Sequence, residues 1–168
     1  QNYKLVIALE PSSQNRAAIF RNQISGVNNV LVYPFAASSK SGTEKIRISD
    51  SSCGGNSLSD VDLPNPDRFE DIELVKIDDL IIGNIFFKNR NISFIKIDIQ
   101  GYELLALKGA EKIINQFKPT IICEVMTSFY SNEEKIDNFL ISKGYEKVMS
   151  FGKDRIYKFP IKNKVQNI

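Results

Sequence analysis

The chain has 168 residues, 42% of them hydrophobic, carries a formal net charge of +2 and contains no histidine. That length and apolar content suit one globular domain with a real core, and the scattered lysines, which form no dense basic stripe, give no reason to expect nucleic acid. No apolar run approaches the ~20 residues of a membrane span, and the opening QNYKLVIALEP has neither the length nor the cleavage pattern of a signal peptide.

In chain order, strand Lys4–Leu9 leads to a helix near Ser13–Ile24, with Ser12 or Ser13 as its N-cap. Strand Val30–Phe35 follows. Thr43–Ile48 and Leu58–Leu63 read as the arms of a hairpin around the loop Ser49–Ser57, and Pro64–Pro66 closes that insertion. Leu74–Lys76 is a short strand ahead of a helix over Ile77–Ile82, with Asp78 or Asp79 in its first turn.

The stretch Ile92–Ile114 is the most informative. Ile92, Phe94, Ile95, Ile97 and Ile99 form a nearly continuous apolar run broken by Lys96, as expected for a strand covered on both faces and paired in parallel. From Gly101 the period changes, and Leu104, Leu107, Ala110, Ile113 or Ile114 and Phe117 fall on one helical face. Gly109 inside that helix costs about 1 kcal/mol relative to alanine, which points to a close helix-to-strand approach. Pro119 ends the helix and admits strand Thr120–Val125. Helix Glu133–Lys143, capped by Gly144, precedes a closing antiparallel pair, Tyr145–Ser150 and Arg155–Phe159. The order predicts an α/β fold with a mixed, mostly parallel sheet, in one domain over residues 1–160 with a tail at 161–168.

An aspartate where a buried strand meets a helix N-terminus is where open α/β sheets build ligand sites, which singles out Asp98. Without histidine, the visible chain has no imidazole for a Ser-His-Asp triad or a histidine-rich zinc site, so its acid–base chemistry rests on carboxylates. No metal site is expected, since nothing in the spacing of Asp98, Glu103 and Glu124 demands a cation. Cys53 lies in a glycine-serine loop and Cys123 in a strand expected to be buried. A disulfide is therefore not expected, and a reducing cytoplasm is the simpler compartment.

The phrase KIDIQGYELLALKGAE followed by KPTIICEV resembles the FkbM-type methyltransferase family. Lys96, Asp98, Gln100, Gly101, Glu103, Leu104, Leu107, Lys108, Gly109 and Ala110 fill the places of its lysine–isoleucine–aspartate strand, glycine turn and E-L-x-x-L-K-G-A helix. VIALEPSSQNRAAIFRNQI, from Val6 to Ile24, is similar to the family's second strand and following helix, and NNVLVYPFAASSKSGTEKIRI, from Asn28 to Ile48, to its third strand and the start of a hairpin. Glutamate is frequent in the family where this chain has Gln100, which bears only on a role needing charge there. The resemblance implies a Rossmann-like methyltransferase sheet, S-adenosylmethionine as donor, and O-methylation of a small-molecule hydroxyl acceptor such as a sugar or secondary metabolite. A non-catalytic α/β binding module derived from such an enzyme is the alternative.

In such folds the glycine-rich turn after the first strand precedes the ribose-binding acid by about 20 residues. Glu10 has nine residues before it, so the first strand and its glycine loop are expected to be absent from this sequence, and catalysis by these residues alone is not expected. In the methyltransferase arrangement that strand would lie between the one ending at Glu10 and the one ending at Asp98. For cofactor binding the candidates are Glu10, which can grip two ribose hydroxyls or serve as a helix N-terminal charge, Pro11 and Ser12 beside the adenine end, Ala37 within Ala36–Ser38, and Asp98 with Gln100. Asp98 is also the first catalytic candidate, against a helix N-cap. Glu124 is the second, against pairing with a lysine. Glu103 reads equally as a dipole partner or a site residue, Lys96 as half of an ion pair, and Asn56 and Ser57 as acceptor contacts.

Overall fold

A computed structural model describes residues 3–22, 29–48, 68–87, 89–125 and 130–160. The first unit is β1 (Val6–Leu9), α1 (Ser13–Asn22) and β2 (Val30–Tyr33), with β1 and β2 parallel in the register Val6 to Val30 through Leu9 to Tyr33. Ser12 starts α1 as expected. Its Oγ accepts the Asn15 amide at 3.4 Å, meeting one of the N–H groups a helix start leaves open.

β3 (Phe35–Ala37) runs parallel to β5 (Arg68–Val75), and β4 (Gly42–Ile48) lies antiparallel on the other side of β5. Among the described residues β4 pairs with the long strand ending at Val75, into which the short strand expected at Leu74–Lys76 merges; the other expected hairpin arm, Leu58–Leu63, and Pro64–Pro66 lie outside the described residues. Alternation explains the pairing: Ile46 and Ile48 of β4 and Ile72 and Leu74 of β5 are buried together with Ala36 of β3.

Helix α2 (Ile77–Ile81) leads to β6 (Phe94–Ile97), after which α3 (Glu103–Gly109), α4 (Glu111–Phe117), β7 (Thr120–Glu124), α5 (Tyr130–Ser142), β8 (Glu146–Phe151) and β9 (Asp154–Lys158) complete the chain. The single helix expected after Gly101 is two, divided at Ala110, which has φ −110° and ψ 14°. The buried carboxylate of Asp78 accepts the amides of Lys112 at 2.9 Å and Ile113 at 3.0 Å, so α4 starts against a cap supplied by α2. Lys118 in the left-handed region and then Pro119 end α4. At Gly144, φ 84°, the Gly144 amide donates to Ile141 O and the Tyr145 amide to Leu140 O, closing α5 as expected.

The last four strands form a sheet in the order β6-β7-β9-β8, parallel between β6 and β7 and antiparallel beyond. Ile97, Ile121, Cys123 and Tyr157 on one face pack against Ala106, Leu107, Ile114, Ile136 and Leu140 of the helices to make the main core. The opposite face carries Lys96, Ile122, Ile156 and Met149 in register, with Phe151 two positions further along β8 opposite Asp154, and Met149 and Phe151 remain exposed. Among the described residues β1 pairs with β2 alone and β6 with β7 alone. The two strands nevertheless start side by side: the rings of Tyr3 and Phe94 lie 5.8 Å apart, and Leu5, Ile7 and Ile95 pack on a shared cluster of Ile81, Phe87 and Ile113.

Gly109 is where the β3 end meets α3. A Cβ there would stand 2.0 Å from the Ser38 carbonyl oxygen and 3.4 Å from the Lys76 Cα. The close approach expected from the sequence is present, and any side chain would force the backbones apart.

Candidate active site at the carboxyl end of β6 and β7

Asp98 follows the last residue of β6, and its carboxylate is held from two sides. Lys96 Nζ donates to Oδ2 at 2.9 Å, and Gln100 Nε2 donates to Oδ1 at 3.2 Å. Lys96 and Asp98 are two apart on a strand, so their side chains leave the same face of the pleat. Gln100 at φ 52° and Gly101 at φ 101° bend the chain sharply after the strand, which brings the amide side chain back toward Asp98.

Glu124 ends β7, which is parallel to β6 in the register Ile97 to Cys123, so it stands beside Asp98 at the same edge of the sheet. Neighbouring carboxyls disfavour each other's ionisation, so the two groups shift in opposite directions. Burial alone would raise the Asp98 carboxyl, but the hydrogen bonds from Lys96 and Gln100 and the Lys96 charge outweigh it and hold Asp98 below the usual carboxylate range. Glu124 moves the other way. Burial, then the neighbouring Asp98 carboxylate, push it up against the weaker pull of Lys153, whose Nζ is 4.0 Å away, and of Lys96.

Glu103, 2% exposed, does not join this pair. Its Oε1 accepts the Gly101 amide at 2.9 Å and the Ile99 amide at 3.4 Å, so it closes the turn ahead of α3. Burial raises its carboxyl, opposed by those backbone hydrogen bonds.

Glu10, Pro11 and Ser12 form a second group beyond β1. Glu10 Oε1 accepts the Ser12 amide at 2.9 Å and Oε2 accepts Asn15 Nδ2 at 3.3 Å, while Arg16 Nη1 donates to the Glu10 and Pro11 carbonyls. Among the described residues each carboxylate oxygen accepts from one donor. Ser12 is fully buried as the helix cap. Ala37 packs against the main core, and the buried Ser38 after it donates its amide to the Val75 carbonyl.

The structure thus sets Asp98, Gln100 and Glu124 at one edge of the sheet, gathers Glu10, Pro11 and Ser12 in a second group, and packs the half-buried Ala37 against the main core. Asn56 and Ser57 lie outside the described residues. The sequence reading did not single out Lys153 and Asp154, which reach the site because β9 pairs antiparallel with β7 in the register Glu124 to Asp154. It also missed Glu70, whose carboxylate accepts the Ser13 amide from 57 positions away. Neither pairing leaves a local signature. Lys96 could be read as a strand-interrupting charge with a partner, and that partner is Asp98.

No helix among the described residues is long and apolar enough to cross a membrane. No curated protein matches the chain. A solved structure, that of methyltransferase FkbM from Methylobacillus flagellatus KT, is similar to it with a TM-score of 0.63 and 19% identity, over 94% of this chain and 37% of that one. The chain therefore spans about a third of that protein's length, and at this identity the likeness concerns the fold. The sequence model of the methyltransferase FkbM domain matches residues 1–147. With a match over most of its length, and an acid at the end of β6 followed by a glycine turn and a helix, the chain belongs to the FkbM methyltransferase family.

Proposed function

We propose that this domain, residues 1–160 with a tail at 161–168, takes part in S-adenosylmethionine-dependent O-methylation of a small hydroxyl compound such as a sugar or secondary metabolite. Asp98, a carboxylate fixed between Lys96 and Gln100 at the end of β6, is the observation that carries this reading. The residues present suit the donor chemically: a half-buried Glu10 carboxylate can accept from two ribose hydroxyls, with Pro11 and Ser12 beside it. S-adenosylmethionine supplies a methyl already activated on a sulfonium.

The chain's own part is to align and to take a proton. Asp98 accepts the hydroxyl proton of the acceptor as the new O–C bond forms and the C–S bond breaks with its electron pair left on sulfur. Carboxylates suffice for this, and the chain has no histidine to do it instead. A reducing, cytoplasmic setting is part of the same reading, supported by the free thiol of Cys123, which burial pushes up and keeps unreactive.

A second reading, a binding module derived from a methyltransferase, draws support from the separation of the β1–β2 sheet from the sheet carrying Asp98. Calorimetric titration of S-adenosylmethionine distinguishes the two. The 168-residue chain is compared with the same chain fused, ahead of residue 1, to a strand and glycine-rich turn taken from a family member. Binding by the fused form that weakens about tenfold on Glu10→Ala supports the enzyme reading. Absence of binding by both forms removes it. Micromolar binding by the unfused chain refutes the need for a glycine-rich turn.

A further inference from the structure

Where α2, the turn after β3 and the junction of α3 with α4 meet, they border a cleft of about 340 Å³ that shares no residue with the groups around Asp98 or Glu10. Two contacts fix its walls. Gly109 presses on Ser38 and the Lys76 backbone, leaving no room for a Cβ, and the Asp78 carboxylate binds the Lys112 and Ile113 amides. The backbones of Lys76, Lys108 and Lys112 are thereby held around one space, and all three side chains line it. Ser39 and Asn115 add a hydroxyl and an amide to the same walls. Asn115 follows Lys112 by three positions on α4, so the two leave that helix on one face.

Charge around the cleft is unbalanced. Among the described residues none of the three ammonium groups has a hydrogen-bond or ion-pair partner. Of the carboxylates on the walls, Asp78 is buried and occupied as the α4 cap, and Glu111 is paired with Lys143 from just past α5. That leaves Asp79 alone to oppose three cations. We propose that this cleft binds a phosphoryl dianion, carried by a small phosphorylated compound or free. Ammonium groups gathered without matching carboxylates repel one another, and a bound anion relieves that repulsion. Lysines bind phosphate as point charges, and the Ser39 hydroxyl and Asn115 amide have protons for the remaining oxygens. At neutral pH a phosphate monoester carries a charge of about −2, which matches the excess of cations over the Asp79 carboxylate. The volume is at the lower end of the roughly 300–1,000 Å³ of small-molecule sites. Nothing in this site depends on methyl transfer.

Amide NMR of the 168-residue chain, titrated at low salt with ribose 5-phosphate, inorganic phosphate and ribose, tests this without any turnover. Both phosphates are expected to shift the Ser39, Lys108, Lys112 and Asn115 resonances along saturable curves with midpoints of about 1 mM, and ribose to shift none of them. A tighter midpoint for ribose 5-phosphate supports a phosphorylated compound as the ligand, and equal midpoints support free phosphate. Lys108→Gln combined with Lys112→Gln, both at exposed positions, should weaken binding about tenfold. Lys135→Gln, an exposed lysine of α5 outside the cleft, should leave it unchanged. Absence of saturable shifts, shifts spread over lysines elsewhere, or a loss on Lys135→Gln equal to that of the double variant would overturn the proposal.

Discussion

Gly109 and Tyr145 show how differently two buried residues respond to change. At Gly109 the space for a Cβ is already filled by the Ser38 carbonyl, so Gly109→Ala is expected to destabilise the chain by about 3 kcal/mol despite the better helix propensity of alanine. A lower denaturation midpoint with an unchanged slope would check it. Tyr145 has the opposite problem. Its ring meets Phe159 edge-on at 5.7 Å, but its hydroxyl is buried with no hydrogen-bond partner among the described residues, and burial pushes that group up to about 12. Removing an unpaired buried hydroxyl relieves a desolvation cost, so Tyr145→Phe should leave stability unchanged or raise it by up to about 1 kcal/mol in the same assay.

Elements here are held by side chains from other elements. Asp78 of α2 caps α4 through the Lys112 and Ile113 amides, and Asp78→Ala is expected to cost about 2 kcal/mol, with amide exchange quickening first at those two positions. Helix α5 is tied to β9 by a forked pair, Arg155 Nε to Glu133 Oε1 at 2.5 Å and Nη2 to Oε2 at 3.0 Å. The hydrogen bond from Arg155 holds the Glu133 carboxyl below its ordinary value of 4.5, against the effect of burial. A carboxyl depressed in the folded state contributes stability that is complete above its unfolded value and is lost as pH falls through the folded one. Arg155→Met should therefore cost about 2 kcal/mol at neutral pH, and the gap from the parent chain should close below pH 4.5 in urea melts across that range.

At the scale of the whole molecule the described strands divide into three sheets, and protection should follow that division. Strand β7 has partners on both sides and the main core beneath it, whereas among the described residues β1 has β2 alone, and α1 beside it contributes no buried residue. Native-state hydrogen exchange is expected to rank Ile121–Cys123 near the global unfolding limit and Val6–Leu9 well below it. Equal protection of the two strands would mean that the sheets unfold as one unit.

Local chemistry made much of this legible in advance. The apolar run before Asp98, the switch from period two to period 3.6 after Gly101, the Pro119 stop and the Gly144 cap are written in neighbouring residues, and each element appears within a few positions of its expected place. The sequence by itself also determined the family, through spaced motifs, and the acids available for chemistry, because histidine is missing. Other features depend on groups far apart in the chain. The pairing of β4 with β5, the division of the long helix at Ala110 under the Asp78 cap, and the arrival of Lys153 beside Glu124 were decided only by the tertiary structure. Strand register and capping across elements arise from which surfaces meet, and no window of local sequence records that meeting.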